Sequence, residues 1–239
     1  MCLLVDGYRL MAKTRPSDAT LVVGAARVYD DVIPAALFAR LQRMMNDVPY
    51  VRTDAQQWLK VWTLADGAIF RSNQWLASGP NWAIRENHGD PQQPADVPDG
   101  LSEFLACLIG VLSAHPQLPP LKHILMIPYA WPPKSSISWH QDGTSTDSSR
   151  VGAFTFYVHQ TWNAEWGGEF LMTELDVAHE QLPFDNSAIS DSIQGKGFGT
   201  WVTPKPNRLI INPSDMYHKV AKTTEAAAPR LTIQGFLYA

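Results

Sequence analysis

The chain has 239 residues, 45% of them apolar and 18% charged, with a net charge of -4. That is enough apolar material for a substantial core, and too little net charge for intrinsic disorder. The acidic balance, with no basic run, excludes the usual electrostatic footprint of a nucleic-acid binder. Nine Trp and 18 Pro suggest a β-rich protein with many irregular connections.

The opening segment, MCLLVDGYRLMAKTR, is broken by Asp6 and Arg9 and lacks the apolar region of a signal peptide. No apolar run approaches bilayer length. Two cysteines, Cys2 and Cys107, make no disulfide framework. A soluble, cytoplasmic protein without membrane or nucleic-acid partners is expected. Cys107, inside the helical pattern LSEFLACLIGVLSAH, reads as core packing rather than a catalytic thiol.

LVVGAARVYDDVIPAALFARLQRMMNDVPY predicts a short strand and then a helix. Asp30 or Asp31 is placed to cap it, and Pro34 suits the first turn. Ile33, Leu37, Leu41 and Met44 share one helical face. QWLKVWTLADGAIFR reads as strand, turn, strand, and residues 87–100 as a Pro-rich loop. A second helix follows, with Leu101, Phe104, Leu105, Leu108 and Leu112 at three- and four-residue spacing; Pro116 and Pro119 mark its end.

After residue 120 the texture changes. KHILMIPY, SSISWH, VGAFTFYVHQ, GGEFLMTE, GTWVTP, NRLIINP, MYHKVAK and PRLTIQGFLYA are strand-like runs separated by turn formers. Eight short strands predict a sandwich or jelly roll, with the preceding helices against one face. The class expected is α+β, mainly β, in one domain: a support region at 1–120 and a jelly-roll core at 121–239. Residues 174–200 read as a long polar connection that could serve as a lid.

Within this core lies ISWHQDG. On an extended strand, His140 and Asp142 project to one side, with Trp139 and Gln141 on the other. His218, 76 positions after Asp142 in another strand-like run, is the best third ligand. Two His and one carboxylate on one face of a metal, with open positions opposite, define a non-haem Fe(II) oxygenase site. H-x-D alone is weak evidence, because HGD at 88–90 is a second copy. That copy sits in the Pro-rich loop without a β pattern, and a surface turn is its expected role. Arg230, 12 residues after His218, can return on an antiparallel strand. There it can offer a carboxylate a two-pronged hydrogen bond. By itself it reads more readily as an exposed strand residue; beside the three candidate ligands, the anchoring role is the better reading. Thr232 shares its face and can add a hydroxyl contact.

From about 121 to 238 the chain resembles the prolyl 4-hydroxylase-like branch of the Fe(II)/2-oxoglutarate-dependent oxygenases. The matching features are YAWPPKSSISWHQD, with its Tyr ahead of H-x-D, the Arg-led strand of RVGAFTFYVHQTWNAEWGGEF, and the Pro turn and strand of VTPKPNRLIIN. HKV and the later Arg complete the pattern. The resemblance implies a double-stranded β-helix of the jelly-roll or cupin-like kind. It implies Fe(II) on His140, Asp142 and His218. It also implies 2-oxoglutarate anchored by Arg230 and contacted by Tyr129 and Tyr157, with O2 as oxidant, ascorbate as an auxiliary reductant, and succinate and CO2 as products. The two tyrosines read otherwise as core aromatics.

Ala153, His159 and Phe236 depart from the residues usual in relatives, and none of them is a ligand. Relatives that halogenate lack the carboxylate supplied here by Asp142, so hydroxylation or a related oxidation is favoured. His115, His123 and His179 read as surface or structural residues, and His159 as a residue either behind the site or at its rim. Trp131, Trp139, Trp162, Trp166 and Trp201 read as core or pocket wall. Three functions follow, in this order: hydroxylation of a small molecule, such as a free amino acid or natural-product intermediate; hydroxylation of a polypeptide; and a non-catalytic jelly-roll binding protein.

Overall fold

A computed structural model describes residues 19–53, 66–88, 95–143, 148–175 and 187–239. Two short strands, β1 (Leu21–Val23) and β2 (Ala26–Tyr29), precede helix α1 (Ala35–Asp47). Then come β3 (Val51–Thr53), β4 (Ile69–Arg71), β5 (Trp75–Ser78) and β6 (Ala83–Glu86), followed by α2 (Leu101–Ser113). The remainder is β7 (His123–Trp131), β8 (Ile137–His140), β9 (Arg150–Tyr157), β10 (Phe170–Thr173), α3 (Ser187–Lys196), β11 (Thr200–Val202), β12 (Leu209–Pro213), β13 (Tyr217–Val220) and β14 (Arg230–Tyr238). All eight strand-like runs read after residue 120 are strands.

The strands form two antiparallel sheets. The major one runs β1-β2-β12-β9-β14-β7-β4-β3, with the β5–β6 hairpin attached to β7. The minor one runs β11-β10-β13-β8. This is the expected mainly-β, jelly-roll architecture. Strand β14 is its keystone, pairing along its whole length with β7 on one side and from Thr232 to Tyr238 with β9 on the other. Its side chains alternate between two cores. Ile233 and Leu237 join Ile124, Met126, Phe154 and Phe156 beneath α1 and α2. On the opposite face, Leu125, Ile127, Tyr129, Trp131, Tyr157 and Ile210 meet Ile137, Phe170, Met172, Val202 and Val220 of the minor sheet. The functional residues lie on this inter-sheet face.

The support helices bury the predicted stripes: Leu37, Leu41 and Met44 of α1, and Leu101, Phe104, Leu105, Leu108 and Leu112 of α2. Phe104 packs its ring 4.8 Å from Phe156 across the helix–sheet junction. Cys107 sits half-buried on α2, and burial raises its thiol pKa, as an inert core cysteine requires. Among the described residues no helix is long and apolar enough to cross a membrane.

Several expectations are corrected. No side chain caps α1, which begins after Pro34. Asp30 instead grips Arg208 with a two-pronged pair, Nε to Oδ1 at 2.6 Å and Nη2 to Oδ2 at 3.0 Å. The region before α1 is a two-strand hairpin rather than one strand. The β5–β6 hairpin, turning through Gly79 and Trp82 at positive φ, was not expected. The connection at 174–200 is not all loop, since α3 lies on it and packs Ile189 and Ile193 with Tyr217 and Trp139. Trp201 is no wall residue, at 63% exposure. Cys2, His179, Asp90, the first half of QWLKVWTLADGAIFR and residues 176–186 lie outside the described residues.

Truncating Phe104 removes a fully buried ring that links α2 to the sheet. Phe104→Ala is expected to cost about 3–5 kcal/mol, read as a lower denaturation midpoint in urea. A midpoint equal to wild type would show that the helix does not brace the sheet.

Candidate metal centre

Strands β8 and β13 are neighbours in the minor sheet, and His140 stands directly opposite His218. Cross-strand partners on one face are close by construction, and here the two imidazole centroids are 4.2 Å apart. Between the pairs His218–His140 and Val220–Ile137 strand β8 takes three steps to two on β13, so β8 carries an extra residue just before His140, a bulge of the kind common beside functional sites. Strand β8 ends at His140, so Asp142 lies just past it. Gly143 N–H donates to the Ser214 carbonyl at 2.6 Å, and Arg150 Nη1 donates to the Asp142 carbonyl at 2.8 Å. Those two bonds turn the Asp142 carboxylate back over the histidines. Trp139 and Gln141 point the other way, as expected: Trp139 packs near α3, and Gln141 reaches the Asp215 carbonyl.

One donor atom from each of His140, Asp142 and His218 falls within 4.8 Å of the others. All three residues are 4–6% exposed. Asp142 Oδ2 lies 3.3 Å from His218 Nε2, and Oδ1 lies 3.9 Å from His140 Nε2. His140 Nδ1 is 2.7 Å from the Ser138 carbonyl and His218 Nδ1 is 2.9 Å from the Met216 carbonyl. A carbonyl only accepts, so each Nδ1 carries the proton. In the neutral ring this leaves Nε2 as a bare lone pair. Two such lone pairs and a carboxylate then converge on one point, an arrangement that a divalent cation stabilises. One carboxylate would not balance two buried imidazolium rings. The Phe170 ring stacks on His218 at 5.0 Å and 13°, which fixes the imidazole plane. The donor set fits Fe(II).

A small cleft opens over these groups, lined on the major-sheet side by Tyr129, Trp131, Thr155, Asn212, Gln234 and Phe236. Arg230, Thr232 and Tyr157 do not line it. They lie deeper on the same face, as neighbours of Tyr129 and Trp131 in the sheet. Arg230 is 1% exposed. Its Nη1 donates to the Gly168 carbonyl at 3.0 Å, and its guanidinium lies 4.8 Å from the Trp131 ring. Arg230 Nε and Nη2, Tyr157 Oη and His159 Nδ1 are buried with no hydrogen-bond partner. Buried polar groups are nearly always paired. A local cluster of a cation and a phenol without partners fits a small anion.

Burial lowers the Arg230 pKa to about 10, opposed by Tyr157 and Glu169. The guanidinium therefore stays charged at neutral pH. Burial raises Tyr157 to about 12, against the pull of Arg230 and Arg208, and Tyr129 is also raised, chiefly by burial. Both stay protonated and able to donate. The Thr232 oxygen accepts from Trp131 Nε1 at 3.1 Å, which leaves its own proton to donate.

His159 is buried rather than at the rim. Its Nε2 donates to the Pro204 carbonyl at 2.7 Å, and its ring lies 5.7 Å from Tyr157 and 4.7 Å from Trp162. Burial lowers its pKa to about 4, so it is neutral beside Arg230. Gly167 and Gly168, both at positive φ, allow a turn no other residue makes cheaply. A side chain on Gly168 would crowd Thr223 and Trp162. The sequence signal of the Gly pair was visible, but the task of its carbonyl, holding Arg230, was not. His115 is buried, with Nδ1 accepting from Gln117 N–H. His123 and His88 are exposed, and His88 sits at positive φ in a turn.

Residues 126–238 match the model of the 2OG-Fe(II) oxygenase superfamily. The chain carries a 2OG-Fe(II) oxygenase domain. Members of this family use Fe(II), 2-oxoglutarate and O2, the set that the residues above fit. Solved structures with this fold include a prolyl-4-hydroxylase from Pseudomonas putida, 17% identical over 90% of this chain and 92% of its own, with a TM-score of 0.57. They include a prolyl hydroxylase from Trichoplax adhaerens, 11% identical over 90% and 84%, also at 0.57. A 2OG-Fe(II) oxygenase family oxidoreductase from Burkholderia pseudomallei is 12% identical over 90% and 85%, at 0.54. At such identities the likeness is one of fold, and at 90% of this chain it extends beyond the residues of the family match. Among curated proteins none matches the sequence.

Stripped of metal with a chelator, the protein is expected to take up one Co(II) per chain, read by its visible absorption. His140→Ala and His218→Ala are each expected to weaken uptake at least about 100-fold, a ligand's loss exceeding the 10–100-fold cost of an outer partner. Undiminished uptake by either variant would remove that residue from the centre.

Proposed function

We propose that this oxygenase hydroxylates an unactivated C–H bond of a small molecule, a free amino acid or a natural-product intermediate. The observation that carries the reading is the pairing of a buried His140–Asp142–His218 convergence with a charged Arg230 whose Nε and Nη2 have no protein partner. Fe(II) held by the triad supplies the redox chemistry that couples O2 and 2-oxoglutarate, consumed to succinate and CO2, to oxidation of the substrate.

The protein's own groups do the rest. Arg230 pairs with the distal carboxylate of 2-oxoglutarate, a charge-assisted bond in a dry environment. Tyr157 and Thr232 donate to the same group from adjacent strands, and Tyr129 donates closer to the metal. Neutral His159 adds no competing charge. Trp131 covers the guanidinium and lines the cleft, so it limits the access of water to the anchored carboxylate. Asp142 occupies the position that halogenating relatives leave to halide, which favours oxygen insertion.

A small substrate is supported by the burial of all three ligands under a small cleft. A polypeptide is the second reading. It draws on the fold shared with prolyl hydroxylases, one of them solved with a hypoxia-inducible-factor peptide fragment.

Anaerobic addition of Fe(II) and 2-oxoglutarate to the apo protein is expected to give a visible charge-transfer band. Admission of O2 with a panel of amino acids and peptides is then expected to give succinate, faster with a member of the first group. A protein with neither band nor succinate is not an oxygenase, and stimulation by peptides alone would overturn the small-molecule reading. Arg230→Ala is expected to raise the KM for 2-oxoglutarate about 100-fold, the loss of a buried charge pair worth a few kcal/mol. An unaltered KM would take Arg230 out of the anchor.

A further inference from the structure

The metal centre has an asymmetry in its support. His218 stands on β13, an interior strand of the minor sheet with β10 on one side and β8 on the other. His140 stands on β8, a four-residue strand that among the described residues lies at the edge of that sheet. An edge strand has one row of backbone groups without a sheet partner, and such a strand is a loose mount for a ligand that must be placed to a fraction of an ångström.

Asp66, 74 residues before His140, closes that edge. Its backbone carbonyl accepts the Ser136 N–H at 3.0 Å. Its side-chain Oδ2 accepts the next outward N–H, that of Ser138, at 3.1 Å, and the Ser138 hydroxyl at 2.7 Å. Oδ1 accepts the Ser136 hydroxyl at 2.7 Å. One residue thus does for β8 what a further strand would do, taking the N–H groups of two alternate residues. The Ser138 so held is the residue whose carbonyl receives His140 Nδ1–H. The direction of that carbonyl sets both the tautomer and the rotation of the His140 ring.

We propose that Asp66 is a positioning residue of the metal centre: by locking Ser138 it aims His140 Nε2 at the metal. The inference rests on His140 being a ligand. It differs from a simple structural role because it predicts an effect on the metal that outlasts any effect on the fold.

The test compares wild type, Asp66→Asn and Ser138→Ala as apo proteins titrated with Co(II), reading affinity and the ligand-field absorption. Melting temperature and the KM for 2-oxoglutarate at saturating Fe(II) are measured alongside. Asp66→Asn keeps the shape but replaces an acceptor with a donor facing Ser138. It is expected to weaken Co(II) binding about 10–100-fold and to alter the absorption, the size found for outer-shell partners. The KM for 2-oxoglutarate is expected to stay at the wild-type value, since Arg230 is untouched. Asp66→Asn with wild-type affinity and absorption overturns the proposal, even if its melting temperature falls. If Asp66→Asn does not fold, Ser138→Ala decides. It keeps the backbone bonds, and weaker Co(II) binding with altered absorption supports the proposal while wild-type binding overturns it. A wild type that binds no Co(II) overturns the metal-centre reading, and the role of Asp66 with it. Binding by wild type that the variants match overturns this inference alone.

Discussion

The pairing of His140 with His218 across β8 and β13 is the constraint on which the rest depends. Two imidazoles placed opposite each other in one sheet, with their Nδ1 protons given to their own strands' carbonyls, leave two lone pairs aimed at one point. Asp142 can complete the set only because the chain turns immediately after β8. Everything else in the domain serves to keep that register. The bulge in β8 adjusts the aim, Phe170 fixes one ring, and the Asp66 carboxylate steadies the strand that carries the other.

The second half of the site belongs to a different sheet. Arg230, Thr232, Tyr157 and Tyr129 sit side by side on β14, β9 and β7, in a patch that is almost wholly buried. Burial there has two effects that must be weighed together. It depresses the guanidinium pKa, yet not enough to discharge it at neutral pH. It also raises the strength of any bond that guanidinium makes to a carboxylate. The electrostatics are thus arranged for an anion, while the surrounding indoles and the neutral His159 keep the patch selective for one.

Much of this was legible in the sequence because it obeys local rules. Period-two alternation and turn residues marked every strand after residue 120. The same alternation placed Arg230 with Thr232 on one side; for His140 and Asp142 it gave the right outcome, but a turn after β8 rather than an extended strand brings them together. What escaped was non-local or weakly patterned. SAISDSIQGK is polar with few apolar positions, so α3 reads as loop until Tyr217 and Trp139 are seen beneath it. Asp30 looks like a helix cap until Arg208, far along the chain, claims it. Asp66 gives no local sign of its work, because Ser136 and Ser138 meet it only in three dimensions. Strand logic alone returns Arg230 toward His218 but does not give its depth. The sheet partners that sink it below Trp131 could not be read from spacing.

Strand β14 joins β7 to β9 and follows both in the chain. Until it arrives, each of those strands presents an unpaired, strongly apolar border, HILMIPYAW on one side and VGAFTFY on the other. A ribosome emitting this chain therefore exposes two adhesive borders for the time taken to make the residues between β9 and β14. The sheet closes only when the strand that bears Arg230 slides between them. Solubility in the nascent state and completion of the active site are thereby settled by one and the same late event.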